Sequence, residues 1–378
     1  MVRRILFLVV LLAACTDDIP TGPAEAALAK GSTAPVIPAF DLGGHPELVH
    51  TRAMDVNASG VAVGYAGRGS GSPDPMHAMR WVVSSAGAVV SEDLHLRFPG
   101  AIRSIAMAVN PGGDVVGWVQ FDLNTSSTRP YLLRADGTLV ILETQCGEQA
   151  TARQGFAADI SDNGDIIGAQ GPSGTEPLFW TAGATCADSL PTLGPNTEVA
   201  AVAPDGNSVV GYSGAYDSAN PAPAVRWIRR SDGTGWDVEP LAAPSWTFAR
   251  SIDADGNMAG HRVTTTWVTK RGTTYLETTN EAYRWIGGVT LEKLPSLGGS
   301  NARATGIDAG RAVGYSSVKT SGFEHAVLWS GGQVIDLWAG RSQSSIAMSI
   351  RGRYIAGWGI IDIPGRYTES HAFVWILP

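Results

Sequence analysis

Seven times between residues 50 and 360 the chain repeats one pattern. A short apolar run with a small residue near its start is followed by a turn, a Val/Ile-rich run ending in Gly, and a strand-like segment that usually ends in Trp. The closing glycines are Gly64, Gly117, Gly168, Gly211, Gly260, Gly314 and Gly357, 43 to 54 residues apart. A unit of that period cannot bury its apolar face alone and must stack on its neighbours, as propellers and solenoids do. The pattern predicts an all-β, seven-bladed β-propeller of four-stranded antiparallel blades. It replaces the two or three ordinary domains that 378 residues would otherwise suggest.

Each segment fits a place in such a blade. The first carries a small or β-branched residue three before a branched one, as in Ala53/Val56, Ala157/Ile160 and Ala347/Ile350. Crowding of the innermost strands at the axis selects those small side chains. Turns such as Asp162-Asn163-Gly164 and Pro204-Asp205-Gly206 supply the positive φ of tight hairpins. A Trp recurring in six of the seven units (Trp81, Trp180, Trp227, Trp285, Trp329, Trp375) reads as a filler between blades, because it buries a large apolar area with one polar atom to satisfy. The seventh unit lacks a fourth strand, while an unpartnered segment, Val36 to Gly44, stands before the first. Residues 36–42 are therefore expected to complete the last blade and close the ring, giving a single domain over residues 36–378.

The third segments read His77-Ala78-Met79-Arg80-Trp81, His325-Ala326-Val327-Leu328-Trp329 and His371-Ala372-Phe373-Val374-Trp375, and Leu297-Gly298-Gly299-Ser300 precedes the run from Ala304 to Gly314. These motifs resemble the HAF family of extracellular repeat proteins, whose His-Ala-Phe triplet stands unaltered at residues 371–373. The resemblance covers about residues 36–378 and is weakest in the second to fourth units, where the His is absent. It implies an exported repeat protein and transfers no catalytic residue.

The N-terminus agrees with export. Residues 1–14 combine Arg3 and Arg4 with the apolar stretch Ile5 to Ala14, too short to span a bilayer and suited to a signal peptide. Leu12-Ala13-Ala14-Cys15 resembles the bacterial lipobox, which implies cleavage before Cys15 and lipidation of its sulfur. Two or more acyl chains anchor stably. Residues 15–35, rich in Ala, Pro, Gly, Ser and Thr, read as a flexible tether. By resemblance to enterobacterial lipoprotein sorting, the Thr16 that follows the Cys implies the outer membrane, on its periplasmic or outer side. A net charge of −8 without a basic run argues against nucleic acid.

Cys146 and Cys186 form an even pair in an exported chain and are candidates for a disulfide between neighbouring blades. No metal or cofactor is expected. His45 and His50 are five apart with Pro46 between them, which is not zincin spacing, and the acidic turns place Gly too early for a calcium loop.

The connections between second and third strands are long and dissimilar, and should emerge together around the axial opening, where a rigid scaffold commonly carries function. The candidate ligand-binding residues there are Trp267, Lys270, Arg271, Tyr275, Tyr216 and Tyr367, an aromatic and cationic set suited to a sugar or an acidic group. The function expected is a noncatalytic, monomeric, lipid-anchored module that binds an envelope protein or glycan and touches the membrane only through its lipid. The alternative is a propeller enzyme, a polysaccharide lyase or glycosidase, using carboxylates such as Asp74, Asp122, Asp217 or Glu369.

Overall fold

The computed structural model describes residues 37–68, 75–122, 128–146, 154–171, 174–215, 223–270, 272–363 and 368–378. The segments expected to be a signal peptide and tether, with Cys15, lie outside them. The unit from Val36 to Pro378 is all-β, with one 3-10 turn, Leu94–Arg97, among the described residues.

Each repeat begins with an antiparallel hairpin such as His50–Val56 on Val61–Gly67. In its turn Asn57 Oδ1 accepts the N–H groups of Ser59 and Val61, and Gly60 takes φ 80°. All seven inner strands then carry a bulge one residue past the small residue, between Ala53 and Asp55 in the first copy and between Ala347 and Ser349 in the last. The bulge drives an inner-strand carbonyl toward the neighbouring strand. A Cβ on Gly64, Gly211, Gly260 or Gly314 would lie 1.9 Å from the oxygen of Arg52, Glu198, Phe248 or Arg303. The repeating glycine is thus required by close backbone approach.

The hydrogen-bonded sheets correct the expected seven blades. Five sheets have four strands each. The strands from His50–Val56 to Leu139–Ile141, expected as two blades, instead form one eight-stranded sheet. The join is a parallel bridge between Met76 and Arg103, where the third strand of the first repeat meets the inner strand of the second. The last four-stranded sheet orders Ala39–Asp41, Glu369–Ile376, Tyr354–Ile361 and Ser345–Arg351, so the N-terminal strand lies outermost beside the C-terminal one.

Packing between consecutive repeats makes the core. Trp81, Trp180, Trp227, Trp285, Trp329 and Trp375 are fully buried. Four of them reach back to the preceding repeat, their Nε1–H groups donating to the carbonyls of Glu143, Pro191, Pro295 and Leu337 at 2.6 to 2.9 Å. The second repeat lacks the Trp. There Tyr131 is buried instead and donates to Ile105 O at 3.1 Å. Cys146 and Cys186 are joined by a disulfide beside a parallel bridge between Glu143 and Cys186, tying the second repeat to the third.

Candidate functional site

The bulge also decides what faces the axis. The innermost strands of all the repeats surround a cavity of about 530 Å³, with Asp55, Asp159, Glu198, Arg250, His261, Arg303 and Tyr315 among its polar walls. In four of the repeats the side chain just past the bulge bonds forward to the next repeat. Asp55 accepts the N–H of Val109 and Asp159 that of Val202, both at 2.9 Å, and Ser251 accepts that of Ile307 at 3.2 Å. Ser349 donates to Asp55 at 2.5 Å. Both acids are half-buried and line the cavity. Burial pushes both carboxyls upward, and Asp159, which also feels the charge of Asp55, rises to about 7.

Toward the opening where second strands end, each repeat places a cross-strand pair beside its glycine. These pairs are Arg52/Tyr65, Ile105/Trp118, Phe156/Ala169, Glu198/Tyr212, Phe248/His261, Arg303/Tyr315 and Ile346/Trp358. The residue directly after the glycine is thus a ring in every repeat but the third. Neighbouring copies touch: Tyr212 meets Phe248 edge-on at 5.0 Å, and the Arg52 guanidinium lies 4.2 Å from the Trp358 ring centre.

The polar members concentrate on the fourth to sixth repeats. Arg250 is paired with Glu198. His261 is 2% exposed, stacks on Phe248 at 5.2 Å, and leaves Nδ1 without a hydrogen bond. Its burial, reinforced by Arg250 and Arg303, pulls its pKa down to about 2, so the imidazole is neutral at neutral pH. Arg303 has no hydrogen bond or ion pair among the described residues, and its Nε is buried without a partner. Burial raises the pKa of Tyr315, with Arg303 opposing, and likewise that of Glu324. The wall therefore brings a guanidinium, a neutral imidazole and a phenol to one cavity, the first two with a buried nitrogen left unpaired.

The residues singled out from sequence lie elsewhere. The expected loop at residues 261–280 is a long β-ribbon, Met258–Lys270 paired with Thr273–Ile286. Trp267, 70% exposed, faces Leu276 across the ribbon, whereas Tyr275 faces Val268 on its other side. Those two aromatics share no surface. Lys270 ends the first strand of the ribbon; Arg271, Tyr216 and Tyr367 lie outside the described residues, as do Asp74 and Asp217. Glu369 contacts His371 at 3.3 Å in the last sheet, and Asp122 follows the strand Val115–Gln120; neither lines the cavity. What sequence reading missed is the position after each glycine, a recurring ring that was visible in Gly260-His261 and Gly314-Tyr315.

No protein-family model matches the chain, and no curated protein matches its sequence. Among solved structures it is similar to the β-propeller domain of the Trilobed protease from Pyrococcus furiosus, with TM-score 0.53 at 8% identity, covering 87% of this chain and 94% of that one. It is also similar to the Pyrococcus horikoshii acylaminoacyl peptidase, with TM-score 0.54 at 10% identity over 90% of this chain. This chain spans 54% of that peptidase. Likeness at such identities shows the fold, a β-propeller, and nothing of its use.

Proposed function

We propose that the chain is a noncatalytic binding module that takes an acidic glycan into the mouth of its axial cavity. The observation that carries this reading is the unmet hydrogen-bonding capacity of Arg303 Nε and His261 Nδ1, with the Tyr315 ring on the same wall. Leaving a buried polar group unpaired costs about 1–3 kcal/mol, and a side-chain shift that opens these nitrogens to a ligand carboxylate or hydroxyl supplies the missing partner. A guanidinium beside a neutral imidazole suits a uronate: the charge meets the carboxylate and the imidazole meets a ring hydroxyl. Tyr315, the ring after the sixth glycine, adds a flat apolar face to the cavity wall.

The address in this reading is the cell envelope, with a lipid on Cys15 as the only membrane attachment and the outer membrane as the destination. The HAF-like triplets and the export sequence support it. In this reading the module acts as a monomer.

Oligosaccharides with and without uronate, arrayed against residues 31–378, test the reading. Uronate-selective binding that weakens at least tenfold in Arg303→Gln is expected. Equal binding of neutral and acidic glycans, or binding indifferent to the substitution, contradicts it. An envelope pull-down that recovers a protein partner insensitive to Arg303→Gln would replace glycan recognition with protein recognition.

One observation favours a second reading, an enzyme acting on polysaccharide. Asp159, raised to about 7, is a carboxyl able to stay protonated near neutrality, as a general acid must. Against it, Asp159 and Asp55 each hold a backbone N–H of the next repeat. Polysaccharide turnover abolished by Asp159→Asn would establish the enzyme and end the noncatalytic reading.

A further inference from the structure

Three repeats build the same contact: the His that opens the third strand meets an Asp at the outer strand. The pairs are His77–Asp93 at 2.8 Å, His325–Asp336 at 2.9 Å and His371–Asp41 at 2.9 Å. In all three the Asp pairs with the residue two beyond the His, so the contact is a product of the repeat. The first copy alone gains another histidine. The segment before strand His50–Val56 turns back, with His45 N–H donating to Leu48 O at 3.3 Å and Leu48 buried. This brings His45 Nε2 within 3.3 Å of Asp93 Oδ2.

We infer that His45, His77 and Asp93 form a binding site for a divalent transition metal of the zinc type. Their three ligand atoms lie within 4.8 Å of one another. Tetrahedral zinc with bonds near 2.0–2.1 Å holds its ligands about 3.3 Å apart, so only small movements are needed. Two imidazoles and one carboxylate are borderline donors that suit zinc over magnesium or calcium, and water completes the fourth position. The surroundings preset the site. Asp93 Oδ1 accepts His95 N–H at 2.9 Å, which leaves Oδ2 for the ion, and His95 stacks on His77 at 4.0 Å with Ser104 holding its Nδ1. Without metal both imidazoles donate to Asp93. On entry of the ion each ring proton moves to the opposite nitrogen, and His45 Nδ1 gives up the bond it accepts from Glu47 N–H. The ion clamps the segment between the N-terminal strand and the first repeat.

Calorimetric titration of zinc into the chelator-treated chain tests the inference, with His45→Ala and His325→Ala as paired variants. One equivalent per chain is expected, with affinity at least about tenfold weaker in His45→Ala and unchanged in His325→Ala. Cobalt should give the absorption of a tetrahedral ion with wild type and not with His45→Ala. His45→Gln, which keeps a polar contact to Asp93, serves if His45→Ala loses its fold. Substoichiometric zinc, or binding unaffected by loss of His45, overturns the site.

Discussion

A Cβ on Gly211 would sit 1.9 Å from the carbonyl oxygen of Glu198, and no rotamer change relieves a backbone clash. Gly211→Ala is therefore expected to cost at least about 3 kcal/mol, readable by denaturant unfolding; a cost under about 1 kcal/mol would show that the bulge yields. Asp159 adds a pH dependence. Its folded pKa, about 7, lies above the ordinary 3.8, so the folded state binds more protons between those values. The stability it contributes is full below pH 4 and is lost as pH rises through 7, at up to about 1.4 kcal/mol per pH unit. Asp159→Asn has no such slope. Its melting temperature relative to wild type should climb from pH 4 to pH 7, and a constant difference would contradict the assignment.

Among the elements, the N-terminal strand ties the two ends of the domain together. Ala39–Asp41 pairs with Glu369–Ile376, Phe40 packs over Gly87, and Thr51 bridges Gly43 O and Ala372 N–H. Removing residues 37–44 should lower the melting temperature sharply; an unchanged value would show that the last sheet stands without its outer strand. The Cys146–Cys186 bond closes a separation of 40 residues, which chain-entropy arguments value at about 4 kcal/mol. Reduction should shift the urea midpoint accordingly. Deleting residues 265–278 removes only the outer part of the β-ribbon, much of it exposed, and should leave the melting temperature unchanged.

At the scale of the whole molecule, repetition made the architecture legible and hid the site. Small residues, Asn/Asp-Gly turns, glycines and tryptophans recur because each blade meets the same steric demands, and those demands can be read from one sequence. The join of the first two repeats rests on one bridge, Met76 to Arg103, and leaves no pattern to read. The cavity is different again. Asp55, Asp159 and Arg250 sit within or just past the bulge, inside strands whose apolar flanks alone were informative, and an ordinary strand alternation would have placed them otherwise. Trp267 drew attention by chemistry, yet the ribbon turns it and Tyr275 to opposite sides. The central claim is that ligand enters the axial mouth and not the ribbon. Equilibrium titration of a uronate oligosaccharide against wild type, Arg303→Gln and the 265–278 deletion tests it most directly. Binding should be retained in the deletion and weakened at least tenfold in Arg303→Gln; binding lost with the ribbon and kept without Arg303 would contradict the account.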